Sequence, residues 1–168
     1  MQGIIKVILN LFSRKFLIKI SLILKPFFEL IFKGDRFVDP INNKSYSYFF
    51  PYGYNKLRKN ALSPGTLSLE RHRLLWIFLE KETDFFNTEN KILHIAPEQC
   101  FYKSFKKNFE SYITCDLNSP IAEIRADVCN LPFDENEFDF VLCNHVLEHV
   151  YDDEKAMKEI YRVLKHEG

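Results

Sequence analysis

From Lys91 onward, short apolar runs alternate with helix-compatible segments, and this alternation constrains the fold more than any other feature of the chain. The runs at residues 91–95, 112–115, 121–126 and 138–143 have strand length, whereas 101–109 and 152–164 carry helical spacing. Residues 138–143 are apolar at every position but Asp139. That is the pattern of strands covered on both faces. Strands alternating with helices predict an α/β fold, a parallel sheet with crossover helices. Ligands of such sheets bind beyond the carboxyl ends of the strands. The polar residues to weigh are therefore His94 and Glu98 after the first run, Asp116 after the second, Asp127 after the third, and Asn144 with His145 after the fourth.

Upstream the character changes. Residues 1–33 carry Lys6, Arg14, Lys15, Lys19, Lys25 and Lys33 against Glu29 alone, although the 168 residues balance 23 basic with 23 acidic side chains. Zero net charge argues against nucleic-acid binding through a large positive field. The bases interrupt residues 4–32 too often for a clean apolar run of about 18 residues, so this segment is not expected to span a bilayer. It reads as a basic amphipathic helix suited to an anionic membrane surface. Packing on the chain's own core or on a partner is the alternative, and a secretory signal lacks its small-residue cleavage site. Residues 34–67 read as a loop-rich connector, with Asp39-Pro40, Asn42-Asn43, Pro51-Tyr52-Gly53 and Ser63-Pro64-Gly65 as turn signals. Its six aromatics between Tyr46 and Tyr54 cap a core or cover a pocket. Ser68 as N-cap and Glu70 in the first turn open a helix ending near Lys81.

The remaining constellations are weaker. Cys100, Cys115, Cys129 and Cys143 have no CxxC pair among them and read as reduced, buried thiols of a cytoplasmic protein. Phe101, Phe105 and Phe109 with Lys103, Lys106 and Lys107 mimic a nucleic-acid platform, but helical packing explains the spacing better. His145 and His149 stand at i, i+4; Val146 follows the first His where a zinc helix needs Glu, so no metal site is expected.

Three runs resemble the class I S-adenosylmethionine-dependent methyltransferases, in the broad type 11 group. They are "RADVCNLPFDENEFDFVLCNHVLEHVYDDEKAMKEIYRVLKHEG", "YITCDLNSP" and "KILHIAPEQC". With "SLERHRLLW", the last is similar to a bacterial subgroup. The resemblance implies that Asp116, with Leu117, holds the cofactor ribose, and that Asp127 and the Val128 backbone meet the adenine. It implies that Asn144 lies near the reacting end, with His145 as the candidate general base. The first loop departs from the family. Where most members have an acid and a glycine-rich turn, this chain has His94, Ala96, Pro97, Glu98 and Cys100, with Glu98 as the charge for the cofactor's amino group. The implied fold is a Rossmann-like doubly wound parallel sheet, incomplete, with the first four strands, and the implied function is methyl transfer from S-adenosylmethionine to a small-molecule acceptor in the cytoplasm. The basic N-terminal helix adds a lipid-linked acceptor and a peripheral place on the inner membrane face as expectations.

The domain reading is 1–33, 34–67 and a partial methyltransferase domain over 68–168. The resemblance also implies later strands beyond Gly168. Phe138, Phe140 and Leu142, or their alternates Val141 and Cys143, are then expected to lack a covering neighbour, and a truncated, inactive homologue acting at most as a binding or membrane-associated module is the alternative to an enzyme.

Overall fold

The structure is a computed structural model that describes residues 14–53, 56–166 and 168. Lys6 and the rest of the expected helix before Arg14 lie outside the described residues, as do the side chains of Arg14, Lys15, Lys19 and Lys25. The chain divides into two compact units, Met1–Leu74 and Leu75–Gly168.

In the first unit, helix α1 (Arg14–Ile31) contains Pro26. Phe28 of α1 and Phe32 just after it both pack edge-on against Phe50, at 5.5 and 4.9 Å, which docks one side of α1 on the hairpins that follow. The opposite side stays bare. Phe16, Ile20, Ile23, Leu24, Phe27 and Leu30 recur at helical spacing and are all exposed. No described helix is long and apolar enough to cross a membrane.

The expected connector is instead two antiparallel hairpins. Strands β1 (Lys33–Asp39) and β2 (Lys44–Tyr46) form one, and β3 (Phe50–Tyr52) and β4 (Arg58–Leu62) the other. Asp39-Pro40, Asn42-Asn43 and Ser63-Pro64-Gly65 lie at turns, whereas Pro51 and Tyr52 belong to β3, and the short stretches between the turns pair. Tyr46 and Phe49 are buried, so these aromatics cap a core. Burial pushes the Tyr46 phenol up to about 12, while its hydroxyl accepts from Asn42 Nδ2 at 2.9 Å. Gly65 is required here, since a Cβ would sit 1.8 Å from that hydroxyl. Ser68 does not cap the helix as expected. Its hydroxyl faces the buried Asp39 carboxylate at 3.4 Å and the Thr66 hydroxyl at 2.8 Å, and the Leu69 N–H donates to His72 Nδ1 at 3.1 Å. Helix α2 (Glu70–Glu82) follows and runs across the unit boundary.

The second unit is built on a parallel sheet in the order β6-β5-β7, from β5 (Ile92–Ile95), β6 (Tyr112–Cys115) and β7 (Phe140–Cys143). Ile95 is in register with both Cys115 and Cys143, so the three strands end level. Helix α3 (Gln99–Asn108) is the crossover from β5 to β6, and helix α4 (Asp153–Val163) follows β7. Every residue of β5 is buried. Leu93 and Ile95 join Val128, Leu131, Phe138, Ala156 and Val163 in one core cluster. Alternation along the strand sends His94 into an aromatic layer with Phe101, Phe105 and Tyr112. Trp76 stacks on Phe105 in that layer at 5.7 Å. Phe101, Phe105 and Phe109 are themselves buried and offer no stacking face to a nucleic acid.

Two strand expectations change. Residues 121–126 join the sheet only through a bridge from Cys115 to Ile124, because Ile124 N and Glu123 N both turn back to the Thr114 carbonyl. Phe138 and Leu142 do not lack cover: they are 0% and 8% exposed. The Phe138 N–H donates to Val163 O, its carbonyl accepts from Lys165 N, and Phe133 meets its ring edge-on at 5.1 Å. Asp139, the polar exception in that run, accepts from Lys91 N at 2.8 Å and Lys165 Nζ at 2.7 Å. It pins the start of β7 to that of β5.

Candidate functional site

The level strand ends open into a cleft of about 560 Å³. Ala96, Asp116, Leu117, Asp127, Val128 and His145, all singled out by sequence, line it together. Each is placed by what its strand does on ending. Asp116 closes β6 with a turn in which its Oδ1 accepts from Asn118 N at 2.7 Å and also from Ser119 N. One oxygen is thereby anchored, and Oδ2 has no protein donor among the described residues. Asp127 builds the same device, with Oδ1 accepting from Cys129 N at 2.9 Å. Its Asx turn leads into buried Val128 while its own carboxylate remains exposed. A carboxylate with one oxygen held by backbone and one open is oriented to accept hydrogen bonds from a diol or an amine.

Ala96 resolves the puzzle of the glycine-free loop. The backbone turns into the left-handed region at φ 52 without a glycine, and the Ala96 N–H donates to Cys115 O at 2.9 Å. The chain keeps the tight turn and accepts the strain of a Cβ there, roughly 1–2 kcal/mol. His145 also lies at positive φ, 55, immediately before a 3-10 turn, Leu147–His149. His145 and His149 thus do not share an α-helical face, and both line the cleft. Among the described residues no His, Cys, Asp and Glu cluster is disposed to hold a metal ion. His145 Nδ1 meets Glu148 Oε1 at 3.2 Å. Hydrogen bonding from its own backbone N–H, ahead of the His145 contact, holds the Glu148 carboxyl below the usual range.

Three expected site residues do not line the cleft. His94 is 0% exposed, because position 94 of β5 faces the aromatic layer. Its Nδ1 meets the Tyr112 hydroxyl at 2.8 Å and its Nε2 meets Glu98 Oε2 at 2.6 Å. Glu98 therefore spends its carboxylate on His94, and Asn144 Nδ2 donates to the same oxygen at 3.5 Å. Both flank the cleft, Glu98 two residues past Ala96 and Asn144 just before His145. Sequence reasoning missed the far wall beyond His149, formed by Val150, Tyr151, Asp152 and Lys155. The available signal was the N-cap, since Asp152 Oδ1 accepts from Lys155 N at 2.9 Å and turns the chain back over the strand ends.

The cysteines frame the sheet without forming disulfides. Burial pushes the Cys115 thiol up to about 12 and the Cys143 thiol to about 11, which keeps both unreactive near neutrality. Cys129 is less buried than expected, with its thiol donating to Asp152 O at 3.4 Å. A second cavity, about 590 Å³, lies in the first unit beside the Lys44–Glu29 ion pair and holds none of the residues singled out.

Residues 89–168 match the family described as the methyltransferase domain. Over 46 residues the chain is 52% identical to an uncharacterised protein of Methanocaldococcus jannaschii, covering 27% of this chain and 20% of that one. Over 45 residues it is 47% identical to the 2-phytyl-1,4-naphtoquinone methyltransferase of Nostoc punctiforme, again 27% and 20%. The match thus spans about a fifth of the length of these relatives. Among solved structures, the YcgJ protein of Bacillus subtilis aligns with a TM-score of 0.47 at 23% identity, over 59% of this chain and 48% of that one.

Proposed function

We propose that the protein is a class I S-adenosylmethionine-dependent methyltransferase that transfers the methyl group to a lipophilic small-molecule acceptor, a reading supported by the match of residues 89–168 to the methyltransferase domain family. The observation that carries this reading is the cleft itself, where two half-anchored carboxylates, Asp116 and Asp127, stand beside the strained turn at Ala96. The donor set fits the cofactor. Asp116 Oδ2, beside Leu117, would take the ribose diol, Asp127 would accept from the adenine amino group with the Val128 backbone next to it, and Glu98 and Asn144, which flank the cleft, would meet the methionine end.

The bound cofactor supplies an activated methyl on a sulfonium. The protein's part is alignment and exclusion of water, because an acceptor lone pair displaces the thioether in line. With Nδ1 engaged by Glu148, His145 takes the acceptor's proton at Nε2.

A lipophilic acceptor is supported by the quinone methyltransferase among the relatives and by the exposed apolar stripe on α1. In this reading the segment 4–32 attaches peripherally to the anionic cytoplasmic face of a membrane. Calorimetric titration of the full chain with S-adenosylmethionine tests the core of it. Binding is expected, weakened by about 1.5–3 kcal/mol in Asp116→Ala, the scale of a hydrogen bond to a charged group. Absence of binding to the unaltered chain, or equal binding to the variant, overturns the assignment. Sedimentation with vesicles tests the attachment, expected on anionic but not neutral lipid and falling with salt.

A further inference from the structure

Glu98 occupies an unusual position. It stands at the N-cap of α3, where a short acceptor side chain ordinarily bonds the first turn, yet it makes no side-chain cap bond. Its carboxylate turns instead to His94, at 2.6 Å. A wholly buried imidazole among Phe101, Phe105 and Tyr112 is costly unless both nitrogens are satisfied. Here both are. Tyr112 is held protonated, because burial, and after it the Glu98 charge, raises its phenol far above the ordinary value. A carboxylate only accepts, so Nε2 donates to Glu98, and Nδ1 shares the second hydrogen bond with the Tyr112 hydroxyl. The line Tyr112, His94, Glu98, Asn144 runs from the start of β6 through β5 to the loop after it and the residue after β7, at the flank of the cleft.

We propose that His94 is a positioning residue: clamped between the Tyr112 hydroxyl and the Glu98 carboxylate, it fixes that carboxylate at the end of β5 as the receptor for the ammonium group of the bound cofactor. The role rests on the S-adenosylmethionine reading and adds to it a residue outside the cleft. It also accounts for a turn without glycine. Elsewhere a flexible loop brings backbone groups to a ligand; here a side chain does so, and a long side chain acts as a fixed site only when something rigid holds it. The imidazole and phenol are that support, themselves immobilised by packing on Phe101 and Phe105. The Nε2 contact at 2.6 Å selects one orientation of the Glu98 carboxylate.

The test compares two nucleosides that differ only at the amino-acid end: S-adenosylhomocysteine, which carries the ammonium group, and 5′-methylthioadenosine, which lacks it. The full chain is expected to prefer the former. His94→Leu should lose about tenfold or more of that preference while its affinity for 5′-methylthioadenosine is unchanged. His94→Gln keeps an N–H within reach of Glu98 and should retain part of it. Tyr112→Phe preserves shape and removes the outer support only, so its loss should be smaller and in the same direction; these two variants keep the test sharp if the leucine variant does not fold. An unchanged preference in all three, or equal loss for both nucleosides as for a purely structural residue, overturns the role and leaves the cofactor site standing. If the unaltered chain binds both without preference, the Glu98 receptor falls alone. If it binds neither, the cofactor reading falls and this role with it.

Discussion

The two walls of the cleft reach the same end by different means. On the β6 side, Asp116 and Asp127 are oriented by backbone N–H groups two or three residues along the chain, in turns the carboxylates themselves create. On the β5 side, Glu98 is oriented by His94, and His94 by Tyr112, eighteen residues away. A local Asx turn is rigid wherever it forms. A side-chain relay is rigid only inside a finished core. The first wall should therefore respond to changes in the turn and what clamps it, the second to changes in the aromatic layer.

The largest effect is expected at the clamp behind Asp127. Arg162 donates to the Phe133 carbonyl at 2.8 Å and the Leu131 carbonyl at 3.0 Å, and forks onto Glu159 through Nε and Nη2, both at 2.9 Å. Glu159 in turn accepts from Leu131 N at 2.8 Å. The turn after Asp127 is thus fastened to α4 by one guanidinium. Arg162→Ala should cost about 2–3 kcal/mol in urea denaturation, the sum of charge-assisted bonds and carbonyls left unpaired. A loss below about 0.5 kcal/mol would mean that the local turn needs no clamp.

The same pair gives a pH signature. The Arg162 hydrogen bond, foremost, holds the Glu159 carboxyl below its ordinary value. A depressed folded pKa contributes stability fully present above the unfolded value, about 4.3, and lost as pH falls through the lower folded one. The gap between the unaltered chain and Arg162→Ala should narrow on acidification through that window, read as converging urea midpoints. A gap constant from neutrality down to about pH 3 would assign the stability to the carbonyl contacts alone.

This contrast also explains what was legible beforehand. Asp116 and Asp127 are readable because their positions after short apolar runs and before turn residues are local facts, and the cleft gathers both. The parallel sheet follows from the same alternation. His94 was misplaced because the end of a strand predicts proximity to a site, whereas the face of the strand decides entry, and one-residue alternation turned it into the core. Residues 121–126 have strand composition but return to Thr114 too soon to pair at length. The hairpins of residues 33–62 escaped notice because strands of three to seven residues leave little periodicity between strong turn signals.

A smaller effect, opposite in sign, is expected on the β5 wall. Ala96 sits at φ 52, where a Cβ is strained and glycine is not. Ala96→Gly should raise stability by about 0.5–1 kcal/mol, the strain relieved less the entropy glycine adds to the unfolded chain. Thermal unfolding checks the sign. Destabilisation would mean that the methyl group packs usefully at the cleft, and that this wall depends on side chains even at its turn.

The smallest expected effect separates folding from binding on the other wall. Asp127→Asn keeps an oxygen to accept from Cys129 N, so the Asx turn survives, and with it the approach to buried Val128 and the clamp at Leu131. What changes is the charge on an exposed group, for which stability shifts stay within about 0.5 kcal/mol. Affinity for S-adenosylmethionine should nevertheless fall, because a neutral amide accepts less strongly than a carboxylate from the adenine amino group and presents a competing N–H donor beside it. Urea denaturation and calorimetry on the same preparation decide it. Unchanged stability with weakened binding identifies a residue whose fold role and ligand role reside on different atoms of one side chain. Loss of stability in step with binding would show instead that the charge of Asp127 is needed to form the turn, and the local wall would then be less self-sufficient than the geometry of its backbone hydrogen bonds implies.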